Sequence, residues 1–171
     1  MEVKVKVENY PFIDTVDIFI SRIDCTPKNI ANLIDVFEFK KNIEIVADMG
    51  FADEESFSIE KIQNFKFKHK ASFEKSKYSN GLFRLIAISN ECKEFLKDVF
   101  SFDVENIAIY SINDESLLGQ NLSYDMARRL IKQKIMDVFI AVTVYDSGIV
   151  ITLNKDAYDA KQLVAKIKSI L

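Results

Sequence analysis

Apolar residues recur along the chain with two spacings, and these spacings predict alternating strands and helices. Valines alternate with charged residues over positions 3–7, which is typical of a half-buried strand. A second strand is predicted over Val16 to Ile23. Thr26 and Pro27 then begin a helix, because threonine can cap the first amides and proline has no amide hydrogen to leave unpaired. Its apolar face, at helical spacing, consists of Ile30, Leu33, Ile34 and Phe37.

The remaining pattern predicts five further strands and three further helices. The strands cover residues 42–47, 82–88, 106–112, 138–144 and 149–153, and Tyr145–Gly148 joins the last two as a hairpin. The helices begin at Asn90, at Ser123 and at Asn154 or Asp156. Their apolar faces are Cys92, Phe95, Leu96 and Val99; Ala127, Leu130 and Ile131; and Ala160, Leu163, Val164 and Ile167. We therefore expect an α+β fold, with short helices on one side of a mostly antiparallel sheet.

The basic and aromatic segment 65–78 is predicted to contain one more strand. Phe65, Phe67, His69, Ala71 and Phe73 share one parity, and lysines occupy the other. Interleaved aromatic and basic residues can bind single-stranded nucleic acid, but lysines also protect an edge strand from aggregation. Here the aromatic and basic residues face opposite ways, which favours the edge strand. The single histidine has no partners at motif spacing, so it is expected to pack.

A helix that ends on two phenylalanines and leads into an Asn-Ile strand occurs twice. Asp35–Phe39 runs on to Asn42–Ile45, and Asp98–Phe102 runs on to Asn106–Ile109. Such a repeat predicts a duplicated β-α-β building block. The stretch Val16–Pro27, with the helix and strand that follow it, resembles the opening of an ACT domain.

The second half is similar to an ACT domain again, so the whole resembles the paired ACT domains that regulate aspartate kinases. The resemblance implies two ferredoxin-like (ACT-like) βαββαβ units. One would cover residues 10–104, with an insertion at about 51–80. The other would cover residues 105–171 and take the N-terminal strand, residues 1–9, as its missing last strand, which would intertwine the units.

The resemblance implies ligand sites at the two strand-to-helix turns. The first would contain Asp24, Cys25, Thr26, Pro27, Lys28 and Asn29, close to Asp48 at a strand end; the second would contain Ser123, Tyr124, Asp125 and Met126. The helix amides would bind an α-carboxylate and Asp24 would pair with the α-ammonium. Lys28 replaces the glycine of the family's Pro-Gly turn, and glycine there lets backbone approach a ligand closely. The same turn is also explained as a plain helix cap.

Composition narrows the class of function. The net charge is −3, which argues against a generic nucleic-acid binder, and hydrophobic residues make up 49%, enough for a core. Cys25 and Cys92 form no metal-binding motif, so reduced thiols and a cytoplasmic location are expected. No signal peptide, membrane span, phosphate-binding glycine loop or catalytic motif occurs, which predicts no enzyme, no cofactor, no metal and no membrane partner.

Three functions remain open. The first is a regulatory protein that senses a small amino acid resembling threonine or lysine and acts through a homodimer of ACT-like sheets. The second is a degenerate ACT pair that binds a protein partner without a ligand. The third is the regulatory subunit of a split aspartate kinase, with a catalytic partner subunit. Asp24 favours the sensor, whereas the loss of the turn glycine in both copies, to Lys28 in the first and to Tyr124-Asp125 in the second, favours the interaction module.

Overall fold

In the described residues, eight antiparallel strands form one sheet, and five α-helices cover its two faces. This computed structural model describes residues 1–10, 13–22, 24–37, 39, 42–50, 58–76, 79–154 and 158–170, without the side chains of 5–10, 13–15 and 160. The strands are β1 (Glu2–Tyr10), β2 (Ile13–Ser21), β3 (Ile43–Met49), β4 (Ser72–Glu74), β5 (Gly81–Ala87), β6 (Val104–Ile112), β7 (Met136–Thr143) and β8 (Gly148–Asn154). The helices are α1 (Pro27–Phe37), α2 (Ile59–His69), α3 (Ser89–Val99), α4 (Tyr124–Lys132) and α5 (Ala160–Ile170). The α+β class predicted from the sequence is confirmed.

The strand order is β1-β2-β8-β7-β6-β3-β5-β4, and each neighbouring pair is antiparallel. Strands β5 and β6 therefore run in the same direction with β3 between them, and α3 connects them. The order also places β8 and β7 between β2 and β6. The expected intertwining through the N-terminal strand is wrong, because among the described residues β1 pairs only with β2. It forms the outer edge of the common sheet and completes no second one.

Helices α1, α2, α3 and α5 pack on one face of the sheet. All four predicted apolar residues of α1 are buried, and so are all four of α3. Both sets belong to one large core, which also takes Phe65 of α2 and Leu163 of α5. The expectation that α1 and α3 lie on the same side of the sheet is confirmed, since these two helices pack against each other.

Helix α4 lies on the opposite face, which corrects the expectation that every helix is on one side. Strand residues of alternate parity point to opposite faces of a sheet. Val138 and Ile140 of β7 therefore join the large core, while Phe139 joins a smaller core under α4. Ala127 and Ile131 of α4 complete that smaller core.

The predicted strand over residues 65–73 is wrong, because most of it is helix α2. Ser58 caps the helix by accepting a hydrogen bond from the Lys61 amide, at 3.2 Å. Residues two positions apart point in roughly opposite directions on a helix, about 200° apart. Phe65 is accordingly 6% exposed and Phe67 is 90% exposed. Lys70 then takes a left-handed conformation, with φ 52°, and the chain enters the three-residue strand β4.

The predicted caps and hairpin hold in most places. Thr26 accepts a hydrogen bond from the Asn29 amide, Ser123 accepts one from the Met126 amide, and β7 and β8 form the expected hairpin. Helix α3 differs, since Ile88 precedes it without a side-chain cap. Asp159 caps α5 in place of Asn154, and Asp156 lies outside the described residues.

Candidate interaction surface

A groove runs between α1 and α3, on the face of the sheet that carries α1, α2, α3 and α5. Because β2 leads into α1 and β5 into α3 in opposite directions, the two helices are antiparallel and their outer surfaces form its two walls. The cavity volume is about 660 Å³. Its lining consists of Thr26, Pro27, Lys28, Ala31, Asn32 and Asp35 from the α1 side, with Asn90, Lys93, Glu94 and Lys97 from α3. Three residues that the sequence assigned to a ligand site thus lie at one end of the groove.

Charges of both signs face this groove. Lys93 of α3 forms an ion pair with Asp35 of α1, which ties the two walls together. Lys97 pairs with Glu94 at 2.6 Å on α3 alone, and both side chains are more than half exposed. Ion pairs this exposed contribute little to stability, so their carboxylates and ammonium groups can exchange partners at low cost. Ala31 is buried, and its small side chain lines the groove between these charged residues.

The first turn of α1 uses its own side chains to satisfy its amides. The Asn29 amide donates to Thr26 Oγ1 at 3.3 Å, and the Ile30 amide donates to the Thr26 carbonyl. The Asn29 side chain donates to the Asp24 carbonyl at 2.8 Å, which links the first turn of α1 to the segment that precedes the helix. Pro27 has no amide hydrogen. Of the first four residues of α1, 27–30, only Lys28 therefore has an amide that is not engaged in these hydrogen bonds, so the helix offers little to a carboxylate.

The other predicted residues of the first turn face different surroundings. The Asp24 side chain is exposed, whereas Cys25 is buried. Burial chiefly raises the pKa of the Cys25 thiol, and Asp24 adds to that effect. Burial likewise raises the pKa of Cys92 to about 12. Neither thiol is therefore a thiolate at neutral pH, and thiolates are the reactive form.

Asp48 is not brought to the first turn. It lies on β3, which is separated from β2 by β6, β7 and β8. Along β3, Ile45 and Ala47 enter the core beneath α1 and α3, so alternation places Asp48 on the opposite face. One of its carboxylate oxygens, Oδ1, is buried without a hydrogen-bond partner among the described residues.

The second predicted site, at the start of α4, is also on that opposite face. Ser123 accepts from the Met126 amide at 3.2 Å, and the Asp125 side chain is exposed in the first turn. The Asp125 carboxylate already interacts favourably with the positive end of the helix dipole, and it would repel the carboxylate of an incoming ligand. The helices that begin at the two predicted turns therefore lie on opposite faces of the sheet, and Asp48 lies apart from the first turn.

Tyr124 belongs to a buried polar cluster that the sequence did not reveal. Thr152 donates to Asp17 at 2.8 Å and also contacts the Tyr124 hydroxyl at 3.2 Å. Arg128 pairs with Asp17 at 3.0 Å, which neutralises a carboxylate that is nearly inaccessible to solvent. Burial chiefly raises the pKa of the Tyr124 hydroxyl. These contacts fix α4 to β2 and β8.

A second cluster, also missed, holds the segment before α4 against the sheet. Glu44 of β3 is fully buried and pairs with Arg84 of β5, which is 6% exposed. The Gly119 amide donates to both Glu44 oxygens at 3.2 Å, and Arg84 donates to the Gln120 carbonyl at 3.2 Å. Burial chiefly raises the pKa of nearby Tyr110, with Glu44 adding to it. The available signal was an acidic residue within β3 and a basic residue within β5, both among apolar residues.

His69 packs inside the helix layer, as the sequence predicted. Its ring lies 4.6 Å from the ring of Phe65 and 5.7 Å from that of Phe95. Its Nε2 is 2.7 Å from Asp98, which also accepts a hydrogen bond from Lys68 at 2.6 Å. The Lys68 bond chiefly lowers the pKa of Asp98. No nucleophilic side chain contacts this group in the described part of the chain, so it links α2 to α3 without forming a catalytic triad.

No helix in the described ranges is long and apolar enough to cross a membrane. The same residues contain no group of three or more His, Cys, Asp or Glu side chains placed to hold a metal ion. No protein-family model matches the chain, and no curated protein matches it.

Proposed function

We propose that this chain is a non-catalytic interaction module that binds a partner protein in the groove between α1 and α3. The observation that carries the proposal is the character of the groove lining. Small-molecule sites bury 70–90% of their ligand. Here Lys28, Asp35, Asn90, Glu94 and Lys97 are all exposed, so the groove is open to solvent and is better suited to the surface of a protein partner than to an enclosed small ligand.

The satisfied turn of α1 supports the same choice. A free amino acid would need several convergent amides for its carboxylate, and Thr26 already occupies the Asn29 and Ile30 amides. A protein partner needs no such site. It can insert a segment over Ala31 and replace the exposed pairing of Lys97 with Glu94 by pairs of its own, which gives specificity and steers association.

The test uses a photo-crosslinking residue placed at Asn32 in the groove, with Gln162 on the exposed side of α5 as the control position. We expect a partner captured at Asn32 and not at Gln162. In the purified complex, Lys28→Glu together with Lys97→Glu should weaken binding about tenfold, or about 1.4 kcal/mol. Lys161→Glu, an exposed charge reversal on α5, should leave binding unchanged. Equal capture at both positions, or equal weakening by both reversals, would refute the proposal.

The second candidate is an ACT-like sensor of an amino acid resembling threonine or lysine. It is favoured by Thr26, Pro27 and Lys28, which the resemblance assigns to a ligand turn and which line the groove. This candidate retains the two ferredoxin-like units, a cytoplasmic homodimer and a role as regulatory subunit of an aspartate kinase. Calorimetry with the twenty amino acids distinguishes it from the first. Heat with one of them, reduced in Asp24→Asn, would favour the sensor, whereas no heat at millimolar concentration would leave the interaction module.

A further inference from the structure

Strand β5 has an incomplete outer edge. On its inner side all seven residues, Gly81–Ala87, pair with β3. On its outer side β4 pairs only with Leu82–Arg84. Within the part of the chain that the structure describes, the outer side of the Leu85–Ala87 backbone therefore has no strand beside it. Such an edge carries backbone amides and carbonyls that can pair with another chain.

The path of the chain leaves this edge open and forms a groove along it. Helix α2 ends at His69, the left-handed Lys70 reverses the chain, and β4 first pairs with β5 opposite Arg84. The last turn of α2 consequently overhangs the edge from one side. The groove has a volume of about 380 Å³. Its lining is Lys68, His69, Lys70, Leu85, Ile86, Ala87, Asn90, Glu91 and Glu94.

Extended backbone continues one residue past the strand, although the Ile88 carbonyl already accepts a hydrogen bond from the Cys92 amide of α3. Ile88 keeps an extended backbone, with φ −77° and ψ 164°, before α3 begins. Ile86 is 39% exposed and Ile88 is 57% exposed, and residues two apart in an extended chain point to the same side. The edge therefore presents four residues of extended backbone with two exposed isoleucines on one side.

The two edges of the sheet differ in their protection. At the other end, β1 carries the exposed Lys4, and edge lysines discourage pairing with a further strand. Leu85–Ala87 is entirely apolar. A protein that protects one edge with charge and leaves the other apolar has an edge suited to receiving a strand.

We propose that the open edge of β5, Leu85–Ile88, binds an extended peptide segment of a partner protein, which adds to the sheet as a strand in line with β4. The segment runs antiparallel to β5, as β4 does. Its backbone hydrogen bonds supply affinity, and its alternate side chains supply specificity. One set is apolar and packs on Ile86 and Ile88, and the other enters the groove between Lys70 and Glu91.

The proposal is tested by selecting binders to the full chain from a displayed library of random ten-residue peptides. We expect the selected peptides to carry apolar residues at alternate positions. Backbone amide exchange, followed by NMR, should slow at least about tenfold on binding for those amides of Leu85–Ile88 that face outward. Contact through side chains alone would leave these amides exchanging at the free rate, and that result would overturn the proposal.

A matched pair of variants locates the site. Ile86→Lys should weaken binding of the selected peptides about tenfold or more. Phe19→Lys, on β2 of the same sheet and 37% exposed, should leave their binding unchanged. Should Ile86→Lys not fold, Ile88→Lys tests the same edge outside the strand. Equal affinity for all variants, or the selection of no peptide, would refute strand addition. Lys28→Glu with Lys97→Glu should not affect these peptides, so this test is independent of the α1–α3 groove.

Discussion

Two phenylalanines of α2 provide the sharpest test of the structure, because a strand and a helix predict opposite outcomes for them. In a strand, Phe65 and Phe67 would share a face and contribute about equally. In α2, Phe65 is 6% exposed and Phe67 is 90% exposed. We therefore expect Phe65→Ala to destabilise the protein strongly and Phe67→Ala to have almost no effect.

The magnitude follows from the surroundings of Phe65. Its ring centroid lies 4.6 Å from that of His69, 4.5 Å from Phe83, 5.2 Å from Phe95 and 5.1 Å from Phe102. Removal of a buried phenylalanine ring costs about 3–5 kcal/mol, and the loss of four aromatic contacts places Phe65→Ala in the upper part of that range. Phe67→Ala should stay within about 0.5 kcal/mol.

Urea unfolding followed by circular dichroism, with linear extrapolation, measures both free energies of unfolding. Because such a loss approaches the whole stability of a small protein, Phe65→Leu serves as a milder variant, with a cost of about 1.5 kcal/mol. Similar losses for Phe65→Ala and Phe67→Ala would place both rings on one buried face, and the helical structure of residues 59–69 would then be wrong.

Two further predictions concern ionic groups. Arg84→Met leaves the buried Glu44 carboxylate without its guanidinium partner, so we expect urea unfolding to show a free energy of unfolding lower by about 3–5 kcal/mol. The double variant Glu44→Leu with Arg84→Met removes both charges and should regain most of this lost stability. Equal losses in the single and double variants would contradict the pairing of Glu44 with Arg84. The pKa of Asp98 is lowered chiefly by Lys68, so its stabilising effect is present above the unfolded pKa of about 4 and lost as pH falls through the folded value. Thermal unfolding of Asp98→Asn and of the parent protein, compared between pH 2 and pH 7, tests this effect. The loss of stability toward low pH should be smaller in the variant by about 1 kcal/mol or less, since Asp98 is 34% exposed. An equal loss of stability in both proteins would contradict the role of Asp98.

The sequence predicts most of the helices and strands because their apolar spacing is unambiguous. The faces of α1 and α3 and the hairpin of β7 and β8 need only local information. Segment 65–73 is different, because Phe65 and His69 fit a helical face while Phe65 and Phe67 fit a strand. The decision falls to contacts with Phe83, Phe95 and Phe102, which a local pattern does not contain.

The sheet order and the candidate site depend on information that the pattern of apolar and polar residues does not contain. Pairing of β2 with β8 joins distant parts of the chain, and nothing in the sequence of either strand specifies that partner. At the start of α1, Thr26 predicts a cap correctly. A cap and a carboxylate site use the same amides, so sequence alone does not separate them, whereas the observed hydrogen bonds of Asn29 and Ile30 do.

The position of β2 has a consequence for how the protein forms during synthesis. Within the described residues, β1 pairs only with β2, and β2 joins the rest of the sheet through β8. Thr152 and Asp17, which bond across that junction, are 135 positions apart in the chain. The hairpin of β1 and β2 therefore leaves the ribosome long before its docking strand is translated. Distant pairings of this kind slow folding and leave strand edges exposed meanwhile, so this is the stage at which a chaperone would matter most.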